Sequence, residues 1–441
     1  MSSFRAFQSL SRRDFLTVAS AAVAGVGLAG CSRNPVTGQR QLMLMGEDQE
    51  VAIDREQLPH QLSEDFGVVA DSGIHAYVTQ VGRGMAAKSH RPAMPYSFQV
   101  VEASHVNAYA FPGGSIACTR GILLGMEDEA QLAALLGHEI GHVNARHAAS
   151  RMSKGMLVQL AAAGAAIAVA QKNERYAPLA AAAGALGGGL LLAKYSRDDE
   201  RQADSLGLDY MVLAGHKPEG MTGLMNLLVS LREQDPSRLE LMFASHPMSR
   251  ERLENTRASI ASKYAALGHY PANRERYQDT LAPLRRLRPV VEAIQRGDRV
   301  ASRPQEALSH YQTALRHKAD DYEALIKASR AQLALGRPRE AQALAQQAKA
   351  ARWGEPQALA ALGLASLQLK DYEGARQEVR AYQKALPGNP GMLFLEGYCE
   401  DNLGRRAEAA ALYRRYLASG ATGKGAEVAQ ARLAELEPVA R

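Results

Sequence analysis

The chain has 441 residues, a length that fits about two domains. Hydrophobic residues make up 46% and charged residues 22%, ordinary values for a globular chain, so a disordered or fibrous protein is excluded. The net charge of +6 is mild and is not gathered in one arm, so nucleic-acid binding is not read from it. Few aromatics and long Ala-rich stretches suit a helix-rich protein. Three cysteines, Cys31, Cys118 and Cys399, are too sparse for a disulfide framework. Cys118 and Cys399 read as small buried residues.

Residues 1–30 read as an address and are set aside from the fold. Arg5, Arg12 and Arg13 give a basic start, and the apolar stretch from Leu16 to Gly30 is too short to span a bilayer. It ends in Leu28-Ala29-Gly30-Cys31, which is similar to a bacterial lipoprotein box. The implied product begins at Cys31, with lipid on its thiol and amine as a membrane anchor. Ser11-Arg12-Arg13-Asp14-Phe15-Leu16 resembles the twin-arginine export motif. Ser32, where an Asp would signal otherwise, resembles an outer-membrane destination facing the periplasm.

Residues 31–46 read as a polar, lipidated tether, with Asn34-Pro35 and Thr37-Gly38 as turn signals. Residues 47–90 show helical periodicity. Tyr96 to Val101 and Ser115 to Thr119 are β-prone, and Asn107-Ala108-Tyr109-Ala110-Phe111 runs into the turn Pro112-Gly113-Gly114, so a small sheet is predicted. Helices dominate from 127 onward. Two apolar runs, Met156 to Ala170 and Leu179 to Ala193, lack charge but fall short of the roughly 20 residues of a spanning helix. They read as a buried helical hairpin, with a membrane-touching flap beside the site as the alternative.

The stretch with chemistry is Leu132 to Val143, where Leu132, Leu135, Leu136 and Val143 keep a helical period. Four residues advance about 400° on a helix. His138 and His142 therefore leave one face a turn apart and can both reach one zinc ion at about 2.0–2.1 Å. Glu139 points to the neighbouring side, placed to act as general base on a water whose pKa zinc lowers. A His-Glu-x-x-His pentapeptide also occurs on ordinary helices, so a third ligand is required. The class that draws a His from six residues beyond the second is excluded, because that position is Ala148. His147 falls on the opposite face of a continuous helix and reads as structural. In the run Tyr195 to Asp204, Glu200 and Asp204 are four apart and share a face. Glu200 suits a metal ligand, and Asp204 an acceptor for the N–H of a ligand histidine. Seen in isolation, the same run would be a solvated charged helix.

The C-terminal third repeats. Ala307, Ala341, Ala375 and Ala409 keep a 34-residue step, as do Leu335, Leu369 and Leu403, and the small residues Ser329, Gly363 and Gly397. A period of 34 with small residues at helix crossings resembles the tetratricopeptide repeat. About four units run from roughly 288 to 423, followed by a capping helix to about 437. Such arrays present concave surfaces to peptides or partner proteins.

With these residues in view, the chain resembles the zinc peptidases that include the HtpX quality-control protease, the CAAX prenyl-protein endopeptidases and the mitochondrial inner-membrane stress protease. It is most similar to the periplasmic, BepA-like members with tetratricopeptide repeats. The likeness runs from about Asn34-Pro35-Val36-Thr37-Gly38 to the C-terminus. It implies that His138, His142 and Glu200 bind zinc, one ion per chain, with Glu139 catalytic and Asp204 its companion acid. It implies that Asn107, Ala108, Tyr109 and Ala110 lie on a strand that pairs with the substrate backbone. Ser245-His246-Pro247 resembles the late His-Pro motif of the family, with Arg252 beyond it. That likeness implies a loop that covers the site, with His246 as a fourth, regulatory ligand and a latent enzyme. Arg252 then holds the loop or contacts substrate.

The predicted fold is mainly α. An α+β peptidase domain with a small sheet spans 47–270, a linker 271–287, and an α-helical repeat superhelix 288–441. The predicted function is a zinc endopeptidase degrading misfolded or stalled envelope proteins, with the repeats reaching substrates or an outer-membrane assembly machinery. The alternative is a chaperone or assembly scaffold acting through the repeats with little proteolysis, but a pure scaffold has no reason to keep Glu139. A prenyl-substrate peptidase fits poorly, because no segment is long enough to build a membrane chamber.

Overall fold

The computed structural model describes residues 31–157, 194–234 and 240–437. The predicted export signal, and the two apolar runs apart from Met156 and Leu157, lie outside the described residues. Among those described, no helix is long and apolar enough to cross a membrane. The chain is mainly helical, with two small sheets near its N-terminus.

The first sheet corrects the tether. β1 (Cys31–Arg33) and β2 (Arg40–Leu42) form an antiparallel hairpin. Asn34 closes its turn by accepting from the Val36 N–H at 2.8 Å, and donates from Nδ2 to the Ala145 carbonyl at 3.2 Å. Met43 and Met45 then bury themselves with Ala149 and Met152. Residues 31–46 are thus a clasp on the domain, because the apolar methionines outweigh the polar turn that suggested a free segment.

α1 (Glu47–Glu64) and α2 (Ser72–Ala86) precede a three-stranded sheet of β3 (Ser97–Val101), β4 (Ala108–Ala110) and β5 (Ser115–Thr119). Its order is β3-β5-β4, with β3 parallel and β4 antiparallel to the central strand. α2 carries Ile74, Tyr77, Val78, Val81 and Met85 on one face, spaced as an amphipathic helix requires, and they fill the main core. β4 is left as an edge.

α3 (Arg120–Gly125) leads to α4 (Glu129–Asn144), which starts where Asp128 caps the Gln131 N–H at 2.9 Å and is buried along its whole length. α5 (Arg197–Leu213) crosses it backbone to backbone. A Cβ on Gly137 would lie 2.8 Å from the Gly207 carbonyl oxygen, and one on Gly141 2.9 Å from that of Ala203. Only small residues four apart on both helices allow this approach. α6 (Glu219–Gln234), α7 (Glu240–Ser245) and α8 (Arg250–Lys263) complete the domain.

The predicted linker is instead two short helices, α9 (Arg274–Thr280) and α10 (Ala282–Arg286), packed into the same core. Tyr277, Leu281 and Leu284 join it, and the Tyr277 hydroxyl donates to the Leu123 carbonyl at 2.7 Å. Spaced four and three apart, these three residues form an apolar helical stripe that cannot remain in water.

Beyond them lie paired helices: α11 (Arg288–Arg299) with α12 (Pro304–His317), α13 (Tyr322–Ala334) with α14 (Pro338–Ala351), α15 (Pro356–Gln368) with α16 (Tyr372–Ala385), α17 (Pro390–Asn402) with α18 (Arg406–Ala418), and finally α19 (Lys424–Leu436). The starts at 322, 356, 390 and 424 keep the 34-residue step. Ala307, Ala341, Ala375 and Ala409 are buried at the crossings, where Ser329 Oγ donates to the Ala341 carbonyl at 2.8 Å. The array docks on the sheet: Phe66, Val101, Tyr109 and Phe111 share one apolar cluster with Tyr322, Leu325 and Ile326.

Candidate metal centre

α4 and α5 bring His138, His142 and Glu200 together, and the turn after α7 adds His246; one ligand atom from each lies within 4.8 Å of all the others. All four are buried. His138 Nε2 is 3.1 Å from His142 Nε2 and 3.6 Å from a Glu200 oxygen, and His142 Nε2 is 3.4 Å from the other Glu200 oxygen. Ligands at about 2.0–2.1 Å from one tetrahedral ion stand about 3.3 Å apart. The nitrogen and oxygen atoms therefore converge at the spacing that a small ion such as zinc requires.

Glu139 stands beside this group and is not one of the four. Its carboxylate is fully buried, and neither oxygen has a hydrogen-bond partner among the described residues. Burial pushes its pKa up, while His246 and His138 pull against that rise. A buried carboxylate without a partner is costly in a merely structural position, but it suits a base aimed at a reacting water.

The surroundings fix the tautomers. His138 Nδ1 is 3.0 Å from Asp204 Oδ1, so its N–H donates there and Nε2 keeps its lone pair for the metal. Burial opposes a charge on His138, but the Asp204 hydrogen bond and Glu200 outweigh it and raise the pKa. Arg252 in turn donates to both Asp204 oxygens, at 2.6 and 2.7 Å, pairs with Glu200 at 2.5 Å, and donates to the Pro247 carbonyl at 3.0 Å. Burial would raise the Asp204 pKa, and Arg252 reverses this and holds it low. Arg252 thus ties the acids of α5 to the turn carrying His246. Asp204→Asn is expected to weaken metal binding by about 10–100-fold in competition with a chelator. Unchanged affinity would remove Asp204 from the site.

His147 has a role that counting along a continuous helix misses. α4 ends at Asn144, and Arg146 takes a left-handed conformation (φ 58°) before helical backbone resumes at 147. The break brings His147 Nδ1 to 2.9 Å from His142 Nδ1, with His147 Nε2 3.0 Å from Gln202 Oε1. With the His147 proton on Nε2, its Nδ1 accepts from His142 and leaves His142 Nε2 free for metal. Burial holds the His142 pKa well below the usual imidazole range, which favours the neutral ligand form. The break is itself pinned. Arg146 and Arg91 share the buried Glu50 at 2.8 Å each, and Arg91 donates to the Val143 carbonyl at 2.9 Å.

Tyr195 stacks on His142 with ring centroids 3.9 Å apart, and its N–H donates to the Ser245 carbonyl at 2.9 Å. The site opens on a groove of about 400 Å³ whose lining includes Tyr195, His246, and Asn107, Tyr109 and Ala110 beside the sheet edge.

A His-Glu-x-x-His helix joined by a Glu from a later helix defines a metallopeptidase domain of the gluzincin type. The comparisons agree. Residues 74–260, which hold every residue of the centre, match the sequence model of Peptidase family M48. Metalloprotease YcaL of Escherichia coli is 34% identical over 170 residues, 38% of this chain and 63% of the relative. Metalloprotease LoiP of the same organism is 32% identical over 169 residues, 38% of this chain and 64% of that relative. The beta-barrel assembly-enhancing protease of Escherichia coli is 26% identical over 204 residues, 45% of this chain and 41% of the relative. The matches thus span from 41% to 64% of the length of these relatives.

Proposed function

We propose that the chain is a zinc-dependent endopeptidase of the bacterial envelope that degrades misfolded or stalled periplasmic and outer-membrane proteins. The observation that carries this reading is the buried Glu139 carboxylate, without a hydrogen-bond partner among the described residues, beside the His138, His142 and Glu200 ligand set. Zinc, when bound, would polarise the scissile carbonyl and acidify the attacking water. Glu139 takes the water proton and returns it to the leaving amine. The free edge of β4 positions an extended substrate by backbone pairing. The paired-helix array, read as tetratricopeptide repeats, recruits substrates or an outer-membrane assembly machinery, a role in keeping with the name of one relative. Cys31 carries the lipid that holds the protein at the membrane.

His246 makes the resting enzyme latent. Its Nδ1 lies 3.0 Å from Glu200 and its Nε2 3.9 Å from Glu139, so the ring stands between ligand and base, where water and substrate must enter. If the open form is about a tenth of the population or less, His246→Ala raises cleavage of an unstructured protein by about tenfold or more. The assay uses the chain from Ser32 onward, loaded with zinc. No cleavage by either protein at one zinc per chain would favour the scaffold reading instead.

A further inference from the structure

The groove that opens from the metal centre does not end within the peptidase domain. Its far wall is α13, through Lys327 and Arg330, with Phe66 beneath them. Its near wall is the β4 edge. Asn107 accepts from the Thr119 N–H at 3.0 Å, and the Phe111 N–H donates to Ser115 at 2.8 Å. By the two-residue alternation of a strand, Ala108 and Ala110 turn their N–H and C=O groups away from β5, toward the open side. Asn107 Oδ1 is also shielded from solvent there, without a hydrogen-bond partner among the described residues. One extended segment thus fits between the strand and the first helix of a repeat unit.

Most charges in this groove are already engaged. Asp65 accepts from the Tyr109 hydroxyl at 2.6 Å and from Gln61 at 3.0 Å. Lys327 pairs with Asp298 at 2.6 Å and Glu323 at 3.0 Å, and Arg151 lies 4.1 Å over the Tyr195 ring. Arg330 differs. Its Nη2 donates to the neutral Gln357 at 2.6 Å and it faces the Phe66 ring at 6.0 Å, while no carboxylate among the described residues lies within 4.0 Å. The guanidinium is therefore held in place with most of its donors uncommitted, the arrangement that receives a carboxylate. Exposed Glu64, close enough to feel Arg330 but not paired with it, tempers that preference.

We propose that Arg330 is a specificity-determining residue: the repeat array supplies one wall of the peptidase groove, and Arg330 receives an acidic side chain of the extended substrate paired to β4. This deepens the endopeptidase reading and rests on it. The test uses the chain with His246→Ala and Glu139→Gln, open and unable to cut, loaded with zinc. Fluorescent peptides of one unstructured sequence carry Asp or Lys at each position in turn. At one register the Asp peptide is expected to bind about tenfold more tightly than the Lys peptide. Adding Arg330→Gln should abolish that difference, and adding Glu64→Gln should widen it. Metal content and melting temperature serve as folding controls. Asp and Lys peptides bound alike at every register, a preference that survives Arg330→Gln, or no peptide binding would each overturn the proposal. A chain that prefers acidic peptides here, yet never cuts as the His246→Ala protein, would sink the endopeptidase reading and leave the subsite standing.

Discussion

Glu139→Gln is expected to lower turnover by roughly 10²–10⁴-fold, the range over which a positioned base acts, while zinc content and fold stay as in the parent. The separation of effects follows from the geometry. The four atoms that converge on one point belong to His138, His142, Glu200 and His246, and Glu139 contributes none of them. The amide keeps the shape of the buried side chain but accepts no proton. The measurement is kcat on an unstructured protein in the His246→Ala background, so that latency does not mask the loss. KM should change little, since Glu139 lines neither the β4 edge nor the far groove wall. A fall in zinc content alongside the lost activity would make Glu139 a support of the metal rather than a base. Retention of activity within a few-fold would remove it from the chemistry altogether.

The centre was legible in the sequence to different depths at different residues. His138 and His142 follow from helical spacing plus ligand chemistry, and Glu200 with Asp204 from the same spacing on a later helix. His246 was reached only through family likeness, since a histidine before a proline announces nothing by itself. His147 was misplaced for a physical reason. Its position depends on the left-handed Arg146, a conformation that arginine does not advertise and that the buried Glu50 imposes from elsewhere. Other signals were present but unused. Gly137 and Gly141 on one helix, with Ala203 and Gly207 on another, mark a close crossing before any coordinates are known. Tyr277, Leu281 and Leu284 carry a helical stripe through the predicted linker. Arg120 had no readable signal, because its partners Asp321 and Glu323 lie about 200 residues away and only tertiary folding brings them near.

That arginine supports the prediction with the largest effect on stability. Arg120 is 1% exposed and sits where β5 passes into α3, facing the first residues of α13. It donates to both Asp321 oxygens at 2.8 and 3.0 Å, to Glu323 at 3.0 Å and to Glu102 at 3.0 Å, while Ser104 donates to Glu323 at 2.6 Å. Arg120→Met would strand these carboxylates in a dry interface, at a cost of about 3–5 kcal/mol. Calorimetry should show the docked repeats melting earlier than in the parent. Acid should narrow the gap, and the sign can be worked out. Burial would raise the Asp321 pKa, but Arg120 outweighs it and holds it below the usual range; Glu323 is likewise held low, by Lys327 first and then Arg120. Stability from acids with depressed folded pKa is present above their unfolded values near 4 and is lost as pH falls through the folded ones. In Arg120→Met, Asp321 loses its cation, so burial raises its folded pKa, and protonation then relieves the fold instead of weakening it. The two proteins should differ most at neutral pH and converge below about pH 4. Asp321→Asn added to Arg120→Met should recover part of the loss, as expected for directly coupled partners. A gap independent of pH would mean that lost packing, not stranded charge, sets the cost. The consequence reaches the groove, because Asp321 also caps α13 through the Ala324 N–H at 3.1 Å and α13 carries Lys327 and Arg330. Loosening that helix should therefore weaken peptide binding at the far wall while leaving zinc affinity untouched.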